Sequence, residues 1–576
     1  MTVVLGIKTG EGHDSGAALL IERDESLACV ALGEERLSRV KHDGSFPGLA
    51  IDACLRDAGV RLEDVPLVCI DSLGAHTPVS EHADIEQLDP RAFSADDQAL
   101  FASASRARHV VVNHHLAHAA SAFGVTQLPD AAVLIIDGSG TRFSLNKGER
   151  GLVAIGDTSA PDDFAMSHSG RAAETQTIFH ATRSADGCAQ YRRVESSRRS
   201  GIGHFYTFFS RHVLGFGISQ EGKAMGLAAY GDPARARSLP AFPEEDFAGI
   251  DTPLLERCMA MGFRPPKRQG GISPTSDTYA DIAWWMQETL ARGVLSLARR
   301  ALHITGSRNL CLAGGVALNV VANRLVRDTL RDEGTLDEMF VQPAASDAGT
   351  PLGAALYGYH RILERTRPFQ RNLAYLGPSH DIAHAEAAAL ARGGVRVPDV
   401  TARVRDLLLD GKIVGWCRGR SEHGPRALGA RSILCWPRPA WMKDHLNARV
   451  KHREMFRPFA PIIAEERAHE VFDCDFPVPF MLMNTMVKPE FRGRLPAVTH
   501  ADGSGRLQTV SREHLPHLHA LLEAVRARDG VGVLLNTSFN DAGEPIVETP
   551  AHAIDCFERT NLDALLIEDI LITKEH

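Results

Sequence analysis

The 576-residue chain contains no CxxC pair, no HExxH and no apolar run long enough to cross a bilayer. Its longest hydrophobic stretches, such as AAVLIID and VGVLLN, fall far short of the about 20 residues a membrane helix needs. Ten cysteines stand singly, at 29, 54, 69, 188, 258, 311, 417, 435, 474 and 556. That scatter disfavours zinc ribbons and disulfide frameworks and reads as core thiols in a reducing cytoplasm. Without HExxH a zincin protease is disfavoured. Positive charge is also short: the formal net charge is −9 and the pI about 6.3. Neither nucleic acid nor an anionic membrane is therefore expected as a general partner. The opening MTVVLGIKTG reads as a buried strand and a glycine loop. It has no basic n-region and no cleavage site, so no signal peptide is expected. There is no low-complexity tract and no solenoid-type repeat.

What is present is an α/β pattern too long for one core, so two or three domains are expected. VVLGIK, GAALLIER, LACVALGEERL and HVVVNHH read as strands rich in Val, Ile and Leu, and AAVLIIDGSG as another ending in an Asp-Gly turn. Residues 157–203 are polar and irregular and read as a long loop. DIAWWMQETLARGVLSLARRALHI carries the i, i+3, i+4 apolar spacing of a helix lying on a core. NLCLAGGVALNVVANRLV follows as strand, glycine turn and helix. Periodicity lapses near TRPFQRNLAYLGPSH, which places a boundary close to Leu376, with domains over 1–376 and 377–576. A new helix–strand unit, ARVRDLLLDGKIVGWCRGR, follows it.

Three features could carry chemistry. Glycine turns sit at or between strands in GEGHDSGAAL (10–19), DGSG (137–140) and the GG at 314–315. Such turns admit phosphate to backbone N–H groups, although any one of 50 glycines can simply be a turn. Second, VVNHHLAHAASAF puts His114 and His118 four apart, on one face if helical. With Asp137 at a strand end and Asp347 after another strand, they make the ligand set of non-haem iron or catalytic zinc. Four unconnected polar residues is the equal alternative. Third, Arg418 to Arg457 holds ten Lys or Arg against three acids, a density suited to a polyanion such as a triphosphate or carbamoyl phosphate. RNA fits less well, because few aromatics interleave as stacking platforms. LLNTSFNDAGEP adds Asn536, Ser538 and Asn540 on a strand-to-loop turn, as small-ligand groups or as turn caps.

GHDSGAALL, EERLSRVKH, NHHLAHAASAF, EGKAMGLAAYGD, LAGGVALN and ASDAG resemble, in order, the O-carbamoyltransferases of the NodU and CmcH type. HGPRALGARSIL, VKHREMFRPFAP and LNTSFNDAGEPIV extend the resemblance through the C-terminal part. The matches run over nearly the whole chain, except 157–203 and 233–275. The resemblance implies a duplicated actin-like (ASKHA) nucleotide-binding domain joined to a YrdC-like α/β domain. It implies that carbamoyl phosphate and ATP, with Mg²⁺, give carbamoyl-AMP in the C-terminal site. The N-terminal site, with Fe²⁺ or another divalent metal, would pass the carbamoyl group to a hydroxyl of a small natural-product acceptor, as in antibiotic biosynthesis.

Residue by residue, the resemblance puts the metal on His114, His118 and Asp347, with Asp137 as a fourth ligand and His115 in support. It makes His13 a base for the acceptor hydroxyl, Asp14 its partner and Lys41 a contact to the adenylate phosphate. Gly138, Glu221, Gly222, Lys223, Gly226, Gly314, Gly315 and Asn319 would line the nucleotide pocket. Arg418, Arg420, Arg426, Arg431, Lys443, Arg449, Lys451 and Arg457 would serve the phosphates. Arg506, Asn536, Ser538 and Asn540 would lie on the carbamoyl phosphate side. The loop KTGEGHDS is shorter than in the tobramycin-modifying member, and the Ser- and Arg-rich stretch after DGSG is an apparent insertion, so an aminoglycoside acceptor is not implied. The rival readings are a fused tRNA threonylcarbamoyl-type enzyme, disfavoured by the acidic charge, and a non-catalytic actin-like nucleotide binder. The latter needs neither the histidine pair nor the basic cluster. The acceptor and the oligomeric state are not written in the sequence.

Overall fold

A computed structural model describes the chain except for residues 1, 10–12, 73–81, 85–93, 105, 139–141, 145–165, 168–170, 198–200, 218, 248, 251–253, 264–277 and 575–576. The start of the first glycine loop, residues 10–12, and the end of DGSG thus lie outside the described residues. The chain divides into two compact units, Met1–Glu34 with His42–Leu373 and Glu35–Lys41 with Ala374–His576. The second division falls at 373/374, and a seven-residue N-terminal segment goes with the C-terminal unit.

The first unit is built on β1 (Val3–Thr9), β2 (Gly16–Glu22), β3 (Leu27–Gly33), β4 (Leu67–Ser72), β5 (His82–Asp84) and β6 (Arg108–Val112), in the order β3-β2-β1-β4-β6-β5. A second sheet uses β7 (Asp130–Ile136). A small sheet follows it: β8 (Arg142–Ser144), β9 (Met166–Ser167) and β10 (Arg171–Ala173). β11 (Gln176–Arg183), β12 (Ala189–Ser197), β13 (Asn309–Ala313) and β14 (Glu338–Val341) then complete the second sheet as β12-β11-β7-β13-β14. In each large sheet the first strand is central. It pairs antiparallel with a hairpin on one side and parallel with crossover strands on the other. One topology is thus used twice. β1 is buried on both faces, as a Val- and Leu-rich strand covered by crossover helices should be.

The stretch 157–203, expected as a loop, instead holds β11 and β12 among its described residues. QTIFHATR and AQYRRVESS alternate too imperfectly to signal strands, because one face carries Arg, His and Glu. Pairing of β11 with β7, and of β12 with β11, makes them part of the second sheet.

Two helices at equivalent places, His114–Phe123 after β6 and Thr350–Tyr357 after β14, cross closely. A Cβ on Gly353 would collide with the carbonyl oxygen of Ala117, so this crossing requires glycine. All ten residues of His114–Phe123 are buried, which explains its small-residue run.

The second unit has an eight-stranded mixed sheet of β15 (Val395–Arg396), β16 (Val414–Cys417), β17 (Arg431–Cys435), β18 (Ala460–Ala464), β21 (Gln508–Val510), β22 (Leu534–Ser538), β23 (Ala564–Ile567) and β24 (Ile570–Thr573). Its order is β15-β24-β23-β16-β17-β22-β18-β21, with β19 (Thr485–Met486) and β20 (Ser504–Gly505) as a separate pair. Val404, Leu408, Trp416, Leu434, Leu521 and Leu566 are among the residues of its core. The ten cysteines are all buried thiols, distributed over both units. No helix among the described residues is long and apolar enough to cross a membrane.

Candidate functional site

In the first unit, strand ends and helix starts bring four predicted residues together. Asn113 caps the helix His114–Phe123 by accepting from Leu116 N–H, so the helix starts at His114 and carries His118 one turn on. Asp137 follows β7 directly, and Asp347 opens the turn before Thr350–Tyr357, six residues beyond β14 rather than at its end. One ligand atom from each of His114, His118, Asp137 and Asp347 lies within 4.8 Å of the others, and all four residues are buried. Nε2 of His114 is 3.4 Å from Asp137 Oδ2 and 3.6 Å from Asp347 Oδ1. Nε2 of His118 is 3.8 and 3.6 Å from the same two oxygens and has no hydrogen-bond partner among the described residues.

These separations exceed ordinary hydrogen bonds. They match atoms sharing a small cation, since ligands about 2.1 Å from a tetrahedral metal are about 3.4 Å apart. Burial opposes protonation of His114, yet Asp71, Asp347 and Asp137 raise its pKa well above 6.5. The space is thus short of positive charge. Two imidazoles and two carboxylate oxygens, with unsatisfied buried nitrogen, fit a divalent ion of the iron or zinc type.

Three of the four inward-facing groups, His114, Asp347 and Asp137, are tethered from behind. Both oxygens of the buried Asp71 stand 3.0 Å from His114 Nδ1. Lys8, 1% exposed, reaches Asp347 Oδ2 at 3.3 Å, and Gly315 N–H donates to Asp137 Oδ1 at 3.0 Å. Sequence reasoning missed Asp71 and Lys8. The strand-end rule that singled out Asp137 applies equally to LVCIDS and GIKTG. His115 turns away from the cluster, with Nδ1 2.7 Å from Thr177 Oγ1, and burial holds its pKa well below 6.5.

Asp14 adopts φ 58° and is held between His13 Nδ1 at 3.1 Å and His42 Nδ1 at 2.8 Å. That left-handed backbone is unusual for aspartate and keeps the carboxylate between the two rings. His42 was not anticipated. Lys41, one residue earlier, is exposed in the second unit and directs Nζ to the Glu544 carbonyl oxygen.

Around the nucleotide candidates, Gly314 has φ 90°, and a Cβ there would strike the Ile136 carbonyl oxygen. At Gly138 and Gly222 an added Cβ would meet nothing within 4 Å among the described residues. Glu221, Gly222, Lys223 and Gly226 lie on one helix, Glu221–Ala228, where Glu221 accepts from Thr207 Oγ1. Asn319 is committed internally: it caps Val320–Asp332 and exchanges two side-chain hydrogen bonds with Gln287.

In the second unit the basic cluster splits. Arg418 is paired with Asp569 and Glu568. Arg431 is buried, its guanidinium donating to the carbonyls of Glu548, Ala430 and Arg418, so it braces the loop. Arg431→Ala is therefore expected to cost about 3 kcal/mol or more of stability, read as a lower urea midpoint. Lys451 is buried and donates to the carbonyls of Ser538 and Asn540 and to Asn540 Oδ1, so it holds that turn. Arg449 is exposed on the helix Met442–Arg449, which also carries Lys443, and Arg420 is partly exposed beyond β16.

Arg426, Arg457 and Arg506 lie close to one another, joined by Arg453, which was not foreseen; Arg457 is also 3.8 Å from Glu454, and Arg453 donates to Asn447 Oδ1. Burial first, then repulsion from Arg457, holds Arg506 down to about 10. Arg426 and Arg453 are lowered for the same reasons, burial and neighbouring guanidinium groups. Cations crowded this way gain most from a bound anion. Asn536 lies alongside: its Nδ2 donates to Ala427 O and Gln508 Oε1, which fixes the amide, and its buried Oδ1 has no partner among the described residues.

Comparison with known proteins bears on both units. Residues 3–83 and 256–356 match the family described as "Carbamoyltransferase N-terminus", and 405–574 match "Carbamoyltransferase C-terminus". The chain is 37% identical to nodulation protein NolNO of Sinorhizobium fredii over 98% of its own length and 79% of the relative. Nodulation protein NolO of Bradyrhizobium diazoefficiens is also 37% identical, over 80% of this chain and 79% of the relative. An uncharacterized Synechocystis protein is 33% identical over 100% and 97%.

Among solved structures, component A of the (R)-2-hydroxyglutaryl-CoA dehydratase of Acidaminococcus fermentans aligns with a TM-score of 0.31 and 14% identity. The alignment covers 62% of this chain and 97% of that one. The ROK hexokinase of Thermus thermophilus gives 0.30 and 15%, over 63% and 100%. Kinship rests on the sequence matches: the chain belongs to the carbamoyltransferase family and is a carbamoyltransferase.

Proposed function

We propose that the protein is an ATP-dependent O-carbamoyltransferase working through carbamoyl-AMP, with the second unit making the adenylate and the first unit using it. The observation that carries this reading is that the chain holds two separately built sites. One is the His114, His118, Asp137 and Asp347 cluster; the other is Arg426, Arg457 and Arg506 beside the fixed amide of Asn536. The repeated topology of the first unit supports an actin-like nucleotide-binding domain, and a YrdC-like role is assigned to the second.

Carbamoyl phosphate gives up inorganic phosphate to water in the second unit. The resulting carbamate oxygen attacks the α-phosphorus of Mg²⁺-bound ATP, and pyrophosphate leaves. Arg426, Arg457 and Arg506 hold the phosphates, and Asn536 Oδ1 accepts from the carbamoyl NH₂. In the first unit the acceptor hydroxyl attacks the carbamoyl carbon, its proton passes to His13, and AMP leaves. Gly138 and the Gly314–Gly315 turn admit the nucleotide. A divalent metal, Fe(II) in this reading, held by His114, His118, Asp137 and Asp347 would supply Lewis-acid polarisation of the carbamoyl carbonyl. Pyrophosphate release from ATP that depends on added carbamoyl phosphate tests the scheme. Release without carbamoyl phosphate, or none with it, would sink it.

A pH dependence follows for transfer. Hydrogen bonding to Asp14 raises the His13 pKa above 6.5, with burial opposing. A base must be neutral, so transfer at saturating metal falls as pH drops through that raised value. Asp14→Asn removes the charge that favours protonation and moves the acid limb to lower pH. An unmoved limb would take His13 out of this role.

A further inference from the structure

Three carboxylates converge in the first unit, Asp71, Asp137 and Asp347, with one ammonium, Lys8, and two imidazoles. Counting the imidazoles as neutral, three negative charges against one positive leave two, which one dication balances. Asp71 and Lys8 do not present atoms to the common centre. Asp71 sits on β4 with both oxygens 3.0 Å from His114 Nδ1, and both residues are fully buried. Lys8 sits on β1 and contacts Asp347 Oδ2 at 3.3 Å, while the other oxygen, Oδ1, is the one 3.6 Å from both histidines. Lys8 also donates to the His13 carbonyl oxygen, so its position is fixed from two sides.

We propose that Asp71 and Lys8 are positioning residues for a divalent ion: Asp71 sets His114 with Nε2 inward, and Lys8 occupies one oxygen of Asp347 so that this carboxylate offers a single ligand atom. The inference rests on the metal reading given above. A carboxylate behind a ligating imidazole fixes its tautomer and strengthens it as a donor. A buried ammonium on one carboxylate oxygen discourages bidentate binding, which keeps coordination number low and leaves positions for substrate.

The test uses Co(II) with the purified full chain, because its visible bands report coordination number and are several-fold stronger for four ligands than for six. Asp71→Asn, which keeps shape but loses charge, is expected to weaken Co(II) binding about 10- to 100-fold in chelator competition. Lys8→Met is expected to dim the visible bands as Asp347 takes up both oxygens. Circular dichroism checks folding, and if one variant fails to fold the other remains decisive. Parent-like affinity in folded Asp71→Asn, or a parent-like spectrum in folded Lys8→Met, overturns that residue's assignment. A parent chain that binds no Co(II) overturns the metal reading itself, whereas a binding parent with two unchanged variants overturns only this inference.

Discussion

His118→Ala is expected to lose bound metal and carbamoyl transfer together, while carbamoyl phosphate-dependent pyrophosphate release continues at the parent rate. His118 Nε2 is a buried nitrogen with no hydrogen-bond partner among the described residues, so its place in the fold depends little on polar contacts it would forfeit. Removing a ligand should weaken metal binding by more than the about 10- to 100-fold that outer residues cause. Transfer should fall by at least the same factor. His115→Ala is the matched control, since its Nδ1 is committed to Thr177 and it stands outside the four-residue cluster. It should keep most of the metal. Elemental analysis after anaerobic Fe(II) reconstitution decides: equal iron in His118→Ala and the parent would end the assignment.

Arg457→Ala and Asn536→Ala are expected to cut adenylate formation sharply but leave use of supplied carbamoyl-AMP intact. Arg457 is lowered by burial, so its charge is held in a poorly solvated place where an anion partner matters most. Losing such a buried charged contact costs about 3 kcal/mol, or roughly 150-fold in kcat/KM for carbamoyl phosphate. Asn536→Ala removes the open Oδ1 acceptor and leaves Gln508 Oε1 without its donor. An acyl phosphate lacking the NH₂ should already be a poor donor for the parent, and this preference should collapse in Asn536→Ala. Variants that fail equally with preformed carbamoyl-AMP would contradict the division of labour between two sites.

Much of the first site was legible because local rules govern it. Helical spacing places His114 and His118 on one face, and strand-end aspartates point toward the crevice of an α/β sheet. The outer residues were less visible. Asp71 and Lys8 are ordinary residues until β4 and β1 set them behind His114 and Asp347. The basic cluster was legible as a density of charge but not as an assignment. In sequence Arg418, Arg431 and Lys451 are simply basic residues, and only the structure engages them with acids, carbonyls and a turn.

By itself the sequence determined the kinship, the α/β class, the buried thiols and the histidine pair, since each depends on residue type, order or short-range spacing. Tertiary structure alone decided that β11 and β12 are strands, that residues 35–41 belong with the C-terminal unit, and which cations are crowded together. The reason is that strand pairing, burial and ion pairing bring together residues far apart in the chain. Local patterning carries no information on which distant partner satisfies a given backbone edge or guanidinium group.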